Sequence, residues 1–142
     1  MTDQPKDDRY YLARAVKVAK QGVAEGGYAV GAVLVKDGVV VGESANRNVQ
    51  SGDPTDHAEI ACLRAAPSEA IAGATLYTTL SPCIMCAGAL VWLGVKRVVI
   101  GDSTAFSGNE EWLMQSGLEV IEANDPDSIS LMKDHPMFSE ED

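Results

Sequence analysis

The chain has 142 residues, of which 46% are hydrophobic, and this combination suits one domain with a sizeable core rather than a disordered protein. Residues 1–100 hold ten acidic and ten basic residues, so the net charge of −10 arises beyond residue 100, where eleven acids accompany Lys133 alone. A protein that binds a polynucleotide usually needs a basic surface, so this charge favours a small substrate over a nucleic acid.

The N-terminus is polar and acidic, and no apolar run approaches the roughly 18 residues of a membrane span. The signal-peptide pattern of a charged start and an apolar region is also missing. We therefore expect a cytoplasmic protein with no membrane partner and with a single domain over residues 1–142.

Hydrophobic periodicity predicts a helix and then a β-hairpin at the start of the chain. An amphipathic pattern over residues 9–24 predicts the helix, which the glycine pair at 26–27 would end. Residues 29–35 form an apolar run typical of a buried strand. The Asp37-Gly38 pair predicts a tight turn, so residues 39–45 should return as the antiparallel partner.

The rest of the chain alternates between helical and strand patterns. After a polar loop at 46–56, a helix should run to about residue 65 with Thr55 or Asp56 as its N-cap. A second helix should follow Ser81 as N-cap, with Pro82 at its first position. Further strands are predicted at 74–79, 95–100 and 118–121, and further helices at 110–115 and 127–133. This order predicts a three-layer α/β/α domain. Cys62 and Trp92 fall in predicted helices and are expected in the core.

Two short motifs carry the chemistry of the chain. One is His57-Ala58-Glu59, and the other is Pro82-Cys83-Ile84-Met85-Cys86. Residues three apart share one helix face, so both sulfurs can reach one ion, and a helix N-terminus favours the thiolate form that binds zinc. A structural zinc site has four protein ligands, whereas a catalytic one leaves a position open. One imidazole and two thiolates thus predict one catalytic zinc ion per chain, with Glu59 as the catalytic proton shuttle.

Helix geometry raises an objection to the first motif, because residues two apart do not share a helix face. The objection is met if His57 and Glu59 both lie in the first helical turn and project off its end. Two helix N-termini would then point at one metal between them. A redox pair of Cys83 and Cys86 is the alternative for the second motif, since such pairs also favour helix starts.

In this order the two motifs match the signature of zinc-dependent deaminases. The chain resembles the cytidine deaminase superfamily, and within it the fungal-type cytosine deaminases. The resemblance runs from Glu25-Gly26-Gly27 through both motifs to Phe106. It implies a mixed five-stranded sheet between helix layers, a homodimer, and hydrolysis of a free nucleobase, cytosine to uracil, in nucleobase salvage.

The resemblance also implies which residues surround the substrate. His57, Cys83 and Cys86 take the place of the zinc ligands, and Glu59 that of the proton shuttle. Asn46 corresponds to the asparagine that binds the pyrimidine edge, Phe106 to an aromatic on the ring, and Val30 to an apolar residue of the pocket. Ser81, which precedes Pro82-Cys83, is also expected to contact the substrate. The family's C-terminal lid carries a tryptophan and an acid, and in this tail Phe138 and Glu140 are the residues available for these places.

Other functions share the same core chemistry. Guanine deaminases and tRNA adenosine deaminases contain the same Asp53-Pro54-Thr55-x-His57-Ala58-Glu59 segment, so guanine, isocytosine or a related amino-heterocycle is the second hypothesis. The last predicted helix is not followed by a basic segment that could bind RNA, which disfavours the tRNA adenosine deaminase hypothesis. A zinc-stabilised binding module without catalysis is the alternative from another class, and the presence of Glu59 beside only three ligands argues against it.

Overall fold

The computed structural model describes residues 6–137, so Phe138 and Glu140 lie outside the described residues. The described residues form eleven helices and strands and one 3₁₀ turn at Ser68–Ala70. They are α1 (Asp8–Ala24), β1 (Gly31–Lys36), β2 (Val39–Ala45), α2 (Asn48–Ser51), α3 (Ala58–Ala65), β3 (Thr75–Leu80), α4 (Ile84–Trp92), β4 (Arg97–Asp102), α5 (Glu110–Gln115), β5 (Glu119–Glu122) and α6 (Pro126–Asp134).

The five strands form one mixed sheet in the order β2-β1-β3-β4-β5. The hairpin β1–β2 and the pair β1–β3 are antiparallel, whereas β3–β4 and β4–β5 are parallel. Parallel neighbours need a crossover connection, and the helices α4 and α5 supply it. The predicted five-stranded sheet between helix layers is therefore confirmed.

The hairpin turn has the backbone that its sequence predicts. Asp37 has φ of 51° and Gly38 has φ of 77°, as the two central residues of a type I′ turn require. The turn joins Lys36 to Val39, which face each other across the two strands. Asp-Gly is favoured at these positions because both residues tolerate positive φ.

Each face of the sheet is covered by helices. On one face, Tyr11, Leu12 and Ala15 of α1 pack against Val33 and Val99. The opposite face packs against α3 and α4, whose buried residues include Cys62 and Leu90. A Cβ on Gly31 would lie 2.1 Å from the carbonyl oxygen of Ala15, so only glycine lets α1 approach β1 this closely.

Four local expectations were wrong. The helix α3 begins after His57, not at Thr55 or Asp56, and α4 begins after Cys83 rather than after Ser81. The polar loop contains the short helix α2. Trp92 is 87% exposed, so it does not belong to the core, whereas Cys62 is fully buried as expected.

Among residues 6–137, no helix has both the length and the apolar composition that crossing a bilayer requires.

Candidate active site

Two helix N-termini meet at the site. His57 is the N-cap of α3, and Cys83 is the N-cap of α4. Both have extended backbone, with ψ of 159° and 172°, so their side chains leave the ends of the helices rather than the sides. Neither makes a side-chain capping hydrogen bond, which keeps the imidazole and the thiol available for other partners. This arrangement removes the objection that residues two apart on a helix diverge.

The imidazole and the two thiols converge on one point. His57 Nδ1 lies 3.5 Å from Cys83 Sγ and 3.5 Å from Cys86 Sγ. All three ligand atoms lie within 4.8 Å of one another. A tetrahedral zinc ion with bonds of about 2.05 Å to nitrogen and about 2.3 Å to sulfur would hold such a pair about 3.6 Å apart. The donor set and its spacing therefore fit one zinc ion with a fourth position free.

The two thiols have opposite electrostatic surroundings. A hydrogen bond from Cys86, backbone N–H groups at the start of α4 and the His57 ring lower the pKa of Cys83 to about 5. Donation to Cys83 and burial raise the pKa of Cys86. The helix start thus favours a thiolate at Cys83, which is the protonation state that binds a metal. Cys62, Cys83 and Cys86 are all free cysteines in the structure.

Glu59 is the buried acid of the site. It is only 4% exposed, and this burial raises its pKa to about 7. Its carboxyl group forms a hydrogen bond with Cys86, and the charges of Cys83 and His57 also affect its pKa. Glu59 therefore lies beside the ligand cluster. A carboxyl group that can exist in both protonation states near neutral pH suits general acid and base catalysis.

Two of the expected substrate contacts lie together at the end of the hairpin. Asn46 follows β2 and Val30 precedes β1, and both are buried. The Asn46 backbone N–H donates to the Val30 carbonyl at 2.9 Å. The Asn46 Oδ1 atom accepts the backbone N–H of Asn48 at 2.9 Å, which fixes the amide orientation. The side chain is therefore held in place before any ligand binds.

Phe106 lies in the segment between β4 and α5 and is partly buried against the larger core cluster. That segment leaves the carboxyl end of β4. The Ser81-Pro82 segment, which leads to Cys83 and is called the ligand segment, leaves the carboxyl end of the parallel neighbour β3. Clefts at the carboxyl ends of parallel strands are common ligand sites. Ser81 is buried in the ligand segment, but its hydroxyl donates to Glu110.

Sequence reasoning missed two residues that contact the ligand segment. Asn109 Nδ2 donates to the Pro82 carbonyl at 3.0 Å, and Glu110 accepts the Ser81 hydroxyl. Both stand at the start of the predicted helix α5, where polar residues are typical of ordinary capping. The local pattern is satisfied by capping alone and gives no sign of a long-range contact.

Comparison with known proteins agrees with this geometry. A family model of the cytidine and deoxycytidylate deaminase zinc-binding region matches residues 5–102. The cytosine deaminase of Candida albicans is 39% identical over 130 residues, which cover 89% of this chain and 87% of that enzyme. The guanine deaminase of Bacillus subtilis is 43% identical over 95 residues, or 62% of this chain and 60% of that enzyme.

A solved structure from studies of A-to-I editing by tRNA:A34 deaminases superposes with a TM-score of 0.75 at 32% identity, over 87% of this chain and 99% of that one. The likeness therefore extends to deaminases that act on different substrates. The matched region contains both helix starts that gather His57, Cys83 and Cys86. On these grounds the chain is a zinc-binding hydrolase that belongs to the cytidine and deoxycytidylate deaminase family.

Proposed function

We propose that the protein is a single-domain catalyst of the hydrolytic deamination of a free nucleobase, with cytosine converted to uracil and ammonia. The observation that carries this proposal is the three-ligand cluster with the buried Glu59 carboxyl group beside it. The cytosine deaminase relative matches over most of both chains, which supports cytosine as the first substrate to test.

The catalytic roles follow from the chemistry of the groups present. Zinc held by His57, Cys83 and Cys86 would act as a Lewis acid that activates water for attack on C4 of the pyrimidine. Glu59 takes one proton from the attacking water and passes it to ring nitrogen N3, and then takes the proton of the new C4 hydroxyl group and passes it to the exocyclic amine. The C4–N4 bond then breaks, ammonia leaves, and water has supplied the oxygen of uracil.

The substrate ring needs both polar and apolar contacts. Asn46 is buried with its amide oriented by Asn48, so it suits recognition of the polar pyrimidine edge. Val30 and Phe106 supply apolar and aromatic surface, and aromatic rings stack on bases. The proposal also includes Ser81 and, from the tail, Phe138 and Glu140 as substrate contacts.

The alternative substrates are guanine and isocytosine, because the guanine deaminase relative shares the matched region. A tRNA substrate is a further alternative, given the structural likeness to tRNA:A34 deaminases. The net charge of −10 argues against a polynucleotide, since phosphate binding depends on basic residues.

The proposal is tested by measuring turnover of cytosine, isocytosine, guanine, adenine and cytidine by zinc-loaded protein, with a tRNA substrate as the last arm. We expect ammonia release from cytosine at the highest kcat/KM. If no free base is turned over, the hypothesis of a free-nucleobase substrate is overturned. Turnover of tRNA alone would favour the tRNA deaminase hypothesis in its place. A zinc-loaded protein inert toward the whole panel would instead support a non-catalytic zinc module.

We also propose that the protein is cytoplasmic, because the reducing cytoplasm keeps cysteine ligands as free thiols. We further propose that it forms a homodimer through α4. Ile84, Gly88 and Trp92 are four residues apart and so share one face of that helix. Ile84 and Trp92 are exposed, and the helix Ile84–Trp92 contains no charged residue. An exposed apolar stripe of this kind marks a protein contact surface. A second copy is the partner that the family resemblance implies.

A further inference from the structure

The ligand segment Ser81-Pro82 joins the end of β3 to the zinc ligand Cys83, which precedes α4. The segment belongs neither to β3 nor to α4. Both residues are buried. A buried segment without regular structure must find hydrogen-bond partners for its backbone polar groups elsewhere, because an unpaired buried polar group destabilises the folded state. The partners of this segment therefore decide where Cys83 stands.

Three hydrogen bonds described within residues 6–137 join this segment to the end of β4 and to the start of α5. The Ser81 backbone N–H donates to the Asp102 carbonyl at 2.9 Å, and the Ser81 hydroxyl donates to Glu110. The Pro82 carbonyl accepts the side-chain amide of Asn109 at 3.0 Å. Two of these three contacts use side chains, so the sequence of α5 can strengthen or remove them.

The Asn109 side chain bonds to Pro82 in place of the usual capping hydrogen bond to its own helix. It is the N-cap of α5, a position where asparagine normally accepts a hydrogen bond from its own helix. Its side chain makes no such capping bond, and its amide reaches Pro82 instead. The neighbouring Glu110 is held in turn by the backbone N–H of Gly108, which donates to its second oxygen at 2.9 Å.

The same stretch of chain carries Phe106, which lies three residues before Asn109. The connection between β4 and α5 thus contacts the ligand segment at one end and carries a wall residue of the proposed pocket in its middle. Any displacement of α5 would move both.

We propose that Asn109 and Glu110 are positioning residues that hold the Ser81-Pro82 segment and so fix Cys83 for zinc binding. The proposal builds on the proposed function, since the zinc site is the catalytic site, but it concerns metal retention and not substrate. Removing groups that orient a metal ligand typically weakens metal affinity by 10- to 100-fold. We expect losses in this range.

The test measures zinc release to a chromogenic chelator from Asn109→Ala and Glu110→Ala proteins, with no substrate present. The matched control is Glu111→Ala, because this acid occupies the same helical turn and its carboxylate accepts a hydrogen bond only from Gln115 in the described hydrogen-bond network. We expect zinc release about ten times faster from both variants and unchanged release from the control. Glu110→Gln keeps one acceptor oxygen and should be intermediate.

Melting temperatures with and without zinc separate positioning from general stability. The stabilisation that a ligand gives to the folded state increases with the logarithm of its affinity, so weaker zinc binding lowers the Tm of the zinc-loaded protein more than that of the metal-free one. Equal Tm losses in both states, together with unchanged zinc release, would overturn the proposal. Since Asn109→Ala and Glu110→Ala remove different contacts, one variant serves if the other fails to fold. Deamination by the wild type is scored separately, so its absence would overturn only the proposed function.

Discussion

His57 Nδ1 and Cys83 Sγ lie 3.5 Å apart although 26 positions separate them in the chain, and each residue is the N-cap of a helix. The two helix starts therefore face one another across a gap of the size that a single ion fills. The macrodipole of each helix favours negative charge at this point, which stabilises thiolate ligands.

Loss of one thiol from the cluster should abolish zinc binding, whereas loss of Cys62, which lies outside the cluster, should not. We expect Cys86→Ala to retain little zinc, because two ligands remain. Cys62→Ala is the matched control, since Cys62 is fully buried but lies outside the cluster. It should keep about one zinc ion per chain and lose about 1 kcal/mol of stability. Metal analysis of the purified proteins checks both, and full zinc in Cys86→Ala would contradict the ligand assignment.

Glu59→Gln should separate zinc binding from catalysis. The amide keeps the size of the side chain but cannot take the proton from water. We expect kcat to fall by about 10²- to 10⁴-fold while zinc content stays at the wild-type value. Steady-state kinetics on the best substrate and metal analysis of the same sample provide the measurement. Unchanged activity with zinc bound would remove Glu59 from the mechanism.

Asp8 should make the stability of the fold depend on pH. Arg97 pairs with its carboxylate through two nitrogens, and the Tyr77 hydroxyl donates to it at 2.8 Å. The hydrogen bonds from Arg97 hold the pKa of Asp8 below its usual value of 3.8. A lowered folded-state pKa contributes stability that is present above the unfolded pKa and is lost as the pH falls through the folded pKa.

Asp8→Asn should therefore lower the free energy of unfolding at pH 7 and change it little near pH 2. The side chain of Asp8 is 38% exposed, so solvent screening limits the loss to about 1 kcal/mol. Urea unfolding at the two pH values measures it, with Glu69→Gln on the exposed 3₁₀ turn as the control. A deficit that persists unchanged at low pH would show that packing, not charge, is responsible.

Trp92→Glu should prevent association of two copies through α4. A carboxylate in the middle of an apolar contact must be desolvated without a partner, which opposes binding. We expect a dimer for the wild type and a monomer for this variant in light scattering coupled to size exclusion. Val39→Glu changes another exposed apolar residue, on β2, and should leave the dimer intact. A monomeric wild type would contradict the proposed interface.

The order of helices and strands could be predicted from the sequence because hydrophobic periodicity is a local property. The helix starts could not. Asp56 is a good capping residue, yet its carboxylate accepts a hydrogen bond from Arg64 at 3.1 Å, and the extended His57 takes the N-cap position instead. In the same way the Ser81 hydroxyl bonds to Glu110 instead of capping α4.

The three side chains that could hold a metal ion could be found from their spacing, since His-x-Glu and Cys-x-x-Cys place them within short segments. The supporting contacts of Asn109 and Glu110 depend on how β4 and α5 pack beside β3, and no local pattern contains that information. Trp92 was misplaced for a related reason, because its apolar character predicts burial while its place at the end of α4 leaves it exposed.

The exposure of Trp92 has a spectroscopic consequence. The chain contains only two tryptophans, and the other, Trp112, is also exposed, at 40%. An indole in water emits at longer wavelength than one in an apolar environment, so a single folded chain should have a red-shifted emission that changes little on unfolding. Covering α4 would shift the emission of Trp92 to the blue. Intrinsic fluorescence followed during dilution thus becomes a direct reporter of self-association, with Trp112→Phe isolating the signal of Trp92.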